Sequence, residues 1–372
     1  MKIVAIDTIP INVPIEPSRA TVGGRGSHTE SPFLILEMRT DEGITGLGEV
    51  SCTPLWSGED QVSAAHFINT ILAPLLIGED PLDRTRLTHL MRRTLANNPF
   101  TRAGIELAQW DIAGKVAGQP VSQLLGGAVR NEVRTKYSVS GMEPAKAAEI
   151  AAWAVEQGFT AMKVKVGLDP ATDVARVRAV REAVGDEVLL GVDANGGWSL
   201  AAAISVIPRL EDLNIAFVEQ PVPAGDPRWL AHVRAASRLP VVADESLSTA
   251  ADALALIGAA AADMFSIYVG MGGGLLEARN VAAIGEAAQI PATIGSNLEL
   301  GIAQAAMIHL AIAAPGIRPD VLPCDIISKF FYSHDIVSAP LPVDAGWARP
   351  LTEPGLGVEL DQAAIARFRV DR

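Results

Sequence analysis

Short apolar runs recur along the second half of this chain at a nearly constant interval, and several end in a charged or phenolic side chain. Lys165, Asp193, Glu219, Asp244 and Tyr268 follow one another at 28, 26, 25 and 24 residues. One strand, one helix and two loops need about that length. The runs are TKYSVS, AMKVKV, VLLGVDA, IAFVEQ, PVVADE, MFSIYV and IPATIG, with a shorter one near VLPCD. Helical segments separate them. Repeated βα units of this kind predict a parallel sheet, most economically a closed (β/α) barrel.

The beginning of the chain follows another rule. KIVAIDTIPINV and FLILEMRTDEGITGLGEV alternate as antiparallel strands do, with RTDEG as the hairpin turn. Between them RATVGGRGSHTES is rich in Gly and polar residues, which predicts a mobile loop. Helical periods dominate from about residue 63 to 125. TRAGIELAQWDIAGKVAGQPVSQLLGG reads as an amphipathic helix broken at Pro120. The expected organisation is an α+β unit over 1–125, a (β/α) barrel over 126–335, and a Pro-rich segment, 336–372, folding back on the first domain.

Charge narrows the partners. Thirty Lys and Arg against 43 Asp and Glu leave a formal net charge of −13, which argues against nucleic acid or an anionic membrane as the main target. Cys52 and Cys324 are the two cysteines, too few for a disulfide framework and consistent with a reducing cytoplasm. MKIVAIDTIP lacks the long apolar core of a signal peptide. No apolar run reaches membrane-spanning length without Gly, Pro or charge. The expected partner is a small molecule, and association into a homo-oligomer is expected of a barrel of this size.

The chemistry of such a barrel sits at the C-terminal ends of its strands. Three carboxylates, Asp193, Glu219 and Asp244, end successive strands and so converge. Unrelieved, they would repel one another strongly in a low-dielectric site. A divalent cation removes the conflict, and an all-oxygen ligand set with room for water suits Mg²⁺. Lys163 and Lys165 stand two residues apart on the preceding strand, so both point into the barrel while Met162, Val164 and Val166 face the helices. Two neighbouring ammonium groups disfavour each other's charged state, leaving one as a base near neutral pH. A base beside Mg²⁺ is the arrangement that removes a proton α to a carboxylate. Two lysines on a solvated edge strand, or an Asp capping the next helix, would explain any one of these features alone. Three carboxylates in successive units downstream of the lysine pair outweigh those readings.

KVKVG, VDANGGW, FVEQP and ADES, in this order and at these spacings, resemble the muconate-lactonizing subgroup of the enolase superfamily. AGIELAQWDIAGKVAGQPVSQLLGG is similar to that family's hinge between cap and barrel. The resemblance implies a modified (β/α)₇β TIM barrel under an α+β cap. It also implies Mg²⁺ on Asp193, Glu219 and Asp244, Lys165 as base, Lys163 as its electrostatic partner, and Asn195 and Glu245 in support. Glu299 matches an acidic position of the family at the end of strand seven, where it lines the site or orients a lysine. Asp325, in LPCDII, resembles the position that binds ammonium in amino-acid-acting members; a turn or cap aspartate is the alternative.

One position departs from the family pattern. A second lysine is usual at the end of strand six, before a Gly pair; here FSIYVGMGGG places Tyr268 there. Tyrosine, with a pKa of roughly 10, is a poor base at neutral pH. The expectation is therefore chemistry from one face, α-proton abstraction followed by β-elimination of water. PCDIISKFFYSHDI together with Tyr268 resembles the subgroup's cis-3-hydroxy-L-proline dehydratases, which implies a hydroxyproline as substrate. Cycloisomerisation or amino-acid or dipeptide epimerisation is the alternative within the subgroup; a barrel that binds metal or ligand without catalysis is the alternative outside it. Arg25 and His28 in the 20–30 loop, and Trp56, are candidate lid residues; a solvated loop and ordinary packing are the competing readings. GMGGG at 270–274 lacks the Lys-Ser/Thr of a phosphate loop and reads as a tight turn.

Overall fold

The computed structural model describes residues 1–371. Strand β1 (Ile3–Pro14) pairs antiparallel with β4 (Glu30–Thr40), which pairs with β5 (Thr45–Ser51). The turn between β4 and β5 holds Gly43 at φ +78°. On β5, Gly46 and Gly48 share one face, and the helix Pro99–Ala117 lies directly on them. A Cβ at Gly48 would stand 2.0 Å from the carbonyl oxygen of Gly104. This contact draws the hinge helix onto the capping sheet. The helix is buried on every side from Phe100 to Gly114, so the expected amphipathic pattern is corrected: the cap covers one face and the barrel the other.

The Gly-rich stretch expected to be a mobile loop is instead a hairpin, β2 (Thr21–Gly23) and β3 (Gly26–His28). It docks on the mouth of the barrel. Val22 N–H donates to Ser140 Oγ at 2.8 Å, and its carbonyl accepts from Gly141 N–H at 2.7 Å. The backbone comes so close that a Cβ at Gly24 would lie 2.6 Å from Ala194 O. Glycine here permits docking rather than motion.

After a short strand β6 (Val133–Arg134), seven parallel strands follow: β7 (Tyr137–Val139), β8 (Ala161–Lys165), β9 (Leu189–Asp193), β10 (Ile215–Glu219), β11 (Val241–Ala243), β12 (Met264–Ile267) and β13 (Ala292–Ile294). They lie side by side in chain order, each within one of the predicted runs. The eighth position, expected near VLPCD, is filled by chain that makes only a bridge. Lys136 N–H donates to Cys324 O and Cys324 N–H to Arg134 O, both at 2.9 Å; on the other side Asp325 N–H donates to Ile294 O at 2.8 Å. These bonds join β7 to β13 and close the ring. Helices cover the outside, with Asp169, Ser199, Asp226 and Thr249 accepting N-terminal backbone N–H groups.

The last part of the chain first adds β14 (Val343–Asp344) and β15 (Trp347–Ala348) to β6. It then reaches β1, where Val370 N–H donates to Pro10 O at 3.1 Å. Buried carboxylates of the cap also hold barrel backbone. Glu49 accepts from Leu300 N–H at 2.8 Å and Ala303 N–H at 3.1 Å. Glu106 accepts from Leu275 and Leu276 N–H at 2.8 and 2.9 Å. No helix among the described residues is long and apolar enough to cross a membrane.

Candidate active site

The register of the barrel strands sets the site. Lys165 pairs with Asp193 on β9, and Asp193 with Glu219 on β10, so three predicted groups lie at one level. Alternation turns Lys163 and Lys165 inward, with 3% and 7% of their surface exposed, while Met162, Val164 and Val166 join the core outside the ring. Lys165 Nζ donates to Asp193 Oδ2 at 2.7 Å and Asn195 Oδ1 at 2.9 Å. Lys163 Nζ lies 2.5 Å from Glu219 Oε1, 3.1 Å from Asp193 Oδ2 and 3.0 Å from Asp325 Oδ2. Asn195, at φ +46°, donates from Nδ2 to Glu245 Oε1 at 3.2 Å. Tyr268 Oη donates to Asp244 Oδ2 at 3.3 Å.

The charges are frustrated. Burial drives the Glu219 and Asp244 carboxyls above the usual carboxylate range, and neighbouring acids add to the shift. Asp193 escapes burial's effect because Lys163 and Lys165 hold it ionised, well below that range. Burial alone would lower the Lys163 ammonium; Asp193, Asp325 and Glu219 outweigh it and hold the group well above its ordinary value. The expected mutual depression of the two lysines therefore fails at Lys163, since the acids around it outnumber its neighbouring ammonium.

The donor set fits a hard cation. Among the described residues, Glu219 Oε2 and Asp244 Oδ1 are buried without a hydrogen-bond partner, and every candidate ligand is a carboxylate oxygen. The carboxylates are not gathered round one point: among the described residues no three His, Cys, Asp or Glu form a ready metal cluster. The lysine ammonium groups stand among them instead.

A narrow cavity opens over these groups, lined by Lys163, Lys165, Tyr268 and Asp325 and walled by Trp56, Leu298, Ile327 and Phe331. The hairpin and the 50s segment roof it. Arg25 stacks over Trp56 at 5.4 Å and reaches Glu245 Oε1 at 3.3 Å; Lys165 Nζ lies over the same ring at 5.4 Å. His28 is buried rather than solvated, bonded to Ser31 at 2.8 Å, and burial lowers its pKa to about 4.

Two expectations change. Glu299 orients no lysine: its carboxylate accepts from Ser296 Oγ at 2.6 Å and Asn297 N–H, closing its own turn. Asp325 is no helix cap; it stands between two ammonium groups, Lys163 and Lys136, the latter 3.1 Å away. Lys136 is fully buried and escaped the sequence reading. Alternation in TKYSVS, which puts Lys136, Ser138 and Ser140 on one face, was the signal that could have found it.

Comparison with known proteins places this geometry. Residues 3–126 match the mandelate racemase / muconate lactonizing enzyme N-terminal domain, and residues 145–364 the enolase C-terminal domain-like family. The N-succinyl-L-Arg/Lys racemase of Bacillus cereus is 33% identical over 100% of this chain and 98% of its own; its crystal structure superposes with a TM-score of 0.94. Muconate cycloisomerase 1 of Rhodococcus opacus is 31% identical over 98% of both chains. A dipeptide epimerase from Cytophaga hutchinsonii, solved with Mg and D-Ala-L-Val, is 30% identical over 99% of this chain and 98% of its own, with a TM-score of 0.94. Fold, strand-end residues and full-length similarity together make this chain a member of the muconate-lactonizing subgroup of the enolase superfamily.

Proposed function

We propose that this protein removes the α-proton of a small carboxylate substrate with Lys165, and that Tyr268 carries a proton on the opposite face. One observation supports this most: β8 and β12 are four positions apart in a ring of eight, so Lys165 and Tyr268 face one another across a shared cavity. Asp193, Glu219 and Asp244 would hold Mg²⁺, which when bound offsets the negative charge of the substrate carboxylate and of the enediolate it becomes. Lys163 adds a fixed positive charge on the same side. Trp56 and the hairpin keep water from Lys165. A phenol keeps its proton at neutral pH, and Tyr268 is buried in the ring; Tyr268 is therefore assigned as a proton donor rather than an acceptor.

A base on one face and an acid on the other suit anti elimination. In cis-3-hydroxy-L-proline the α-hydrogen and the hydroxyl lie on opposite faces of the ring. Lys165 would take the proton, the C–O bond would break, and Tyr268 would protonate the departing hydroxide to water. The relatives support a second reading, isomerisation, since those named above are racemases, epimerases or cycloisomerases. Racemisation needs both faces to give and accept a proton, a poor match to Tyr268. Cycloisomerisation through Lys165 alone is the isomerase reaction that fits.

The test is turnover in D₂O with the hydroxyproline isomers, a muconate, N-succinyl amino acids and dipeptides. Wild type should eliminate water from the cis-3 isomer. Lys165→Ala should lose both α-exchange and product, by roughly 10²–10⁴-fold. Tyr268→Phe should keep α-deuterium exchange and lose elimination. Turnover of muconate alone would select the isomerase reading, and full elimination by Tyr268→Phe would remove Tyr268 from the chemistry.

A further inference from the structure

A second cavity, open to solvent, lies at the seam between cap and barrel. The capping helix Arg84–Thr94, the hinge helix Pro99–Ala117 and the barrel helix Leu275–Ala287 meet there. Its walls include Arg84, Arg86 and Arg279, the carboxylate of Asp83, and the apolar Trp110 and Leu276. Arg86 is paired, with Glu79 at 2.5 Å and Asp83 at 3.1 Å. Arg84 and Arg279 have no ion-pair partner among the described residues. The Arg84 guanidinium carbon lies 4.0 Å over the Trp110 ring, a cation–π contact. Burial depresses its ionisation, and the charge of Arg279 adds to that effect against the opposing pull of Glu106.

Glu106 cannot serve as the missing counter-ion by direct pairing. Its Oε1 accepts from Trp110 Nε1 at 2.7 Å and Leu276 N–H at 2.9 Å, and its Oε2 from Leu275 N–H at 2.8 Å. Arg84 and Arg279 face one hollow without a direct ion pair among the described residues; Glu106 acts on Arg84 only through space, and the Asp83 carboxylate in the wall is engaged by Arg86. A guanidinium fork matches the oxygens of carboxylates and phosphates. Trp110, Leu124 and Leu276 offer apolar surface for a carbon skeleton beside them.

We propose that this cavity binds a small multivalent oxyanion, a phosphate or a polycarboxylate, held by Arg84 from the cap and Arg279 from the barrel. The ligand bridges the two domains, away from the catalytic cavity, and its binding does not depend on which reaction the barrel performs.

Thermal unfolding and isothermal titration of the full chain with inorganic phosphate and with citrate test this, against sodium chloride at matched ionic strength. At about 100-fold excess over Kd, either anion should raise Tm by about 3 °C beyond the chloride control. Arg84→Gln and Arg279→Gln should each lose the shift and the binding heat, whereas Arg93→Gln, at an exposed position of the same helix outside the cavity, should keep both. If Arg84→Gln fails to fold, Arg279→Gln decides by titration. The proposal is overturned if neither anion exceeds chloride, or if a folded Arg279→Gln binds as the wild type does. It is equally overturned if the anions are inert and Arg279→Glu dissociates an oligomer, since the arginines would then face a second copy.

Discussion

Replacing Glu49 by Gln isolates one buried proton at the junction of cap and barrel. Burial pushes the Glu49 carboxyl from 4.5 up to about 8, against the lowering effect of the Ala303 and Leu300 N–H groups. The folded state therefore holds a proton that the unfolded state releases above pH 4.5. The group's contribution to stability is full below that value and is lost as pH rises towards 8. Between pH 5 and pH 7 this loss amounts to about 2.5 kcal/mol. With an unfolding entropy of roughly 2.1 cal/mol/K per residue, it corresponds to about 3 °C in a chain of this length. Gln cannot ionise, and groups titrating elsewhere act equally on both proteins. The Tm of the wild type minus that of Glu49→Gln, measured by scanning calorimetry at pH 5 and pH 7, should fall by about this amount. A constant offset from the changed hydrogen bonds does not affect the slope. A flat difference would refute the reasoning: Glu49 would then be ionised, held so by the N-terminus of the helix Gly301–Ala313.

Three further outcomes follow from the same contacts. Stripping divalent ions with EDTA should abolish turnover, and Mg²⁺ should restore it; undiminished activity in EDTA would dismiss Asp193, Glu219 and Asp244 as ligands. Gly48→Ala should cost about 3 kcal/mol or more, because the added carbon meets the Gly104 carbonyl at 2.0 Å; an unchanged Tm would show that strand and helix part freely. Burial lowers His28 to about 4, so its ring should stay neutral from pH 5 to 8 in an NMR titration. The stability this gives is present above pH 6.5 and disappears as pH falls towards 4; a midpoint near 6.5 would place the ring in water.

The barrel was readable because its period is set by covalent length: a strand, a helix and two loops leave the same interval wherever they recur. Lys163, Lys165, Asp193 and Glu219 were readable for a related reason, since alternation and strand ends are one-dimensional properties. The hairpin was not. Gly24 is legible as a glycine, but that it lies against Ala194 O depends on chain 170 residues away. Glu299 resembled a site carboxylate by position, and only the conformation of its own turn shows that it bonds Ser296 and Asn297 rather than a lysine. Lys136 fell outside the reading because its partner Asp325 arrives from the far end of the barrel.

That late arrival bears on how the molecule assembles. The ring closes where Thr135 bridges Cys324, a contact across just over half of the chain and therefore slow to find. Asp325 follows the bridge directly. Until closure, Lys163 has Asp193 and Glu219 beside it but not Asp325, and Lys136 has neither Asp325 nor the Pro323 carbonyl that it meets at 2.7 Å. The charge balance around Lys163 and Lys136 is thus completed only when the ring closes. A barrel left open at this seam would carry most of the correct side chains and a different electrostatic field, so recovery of activity on refolding should track protection of the Cys324 amide against hydrogen exchange rather than the return of helical signal.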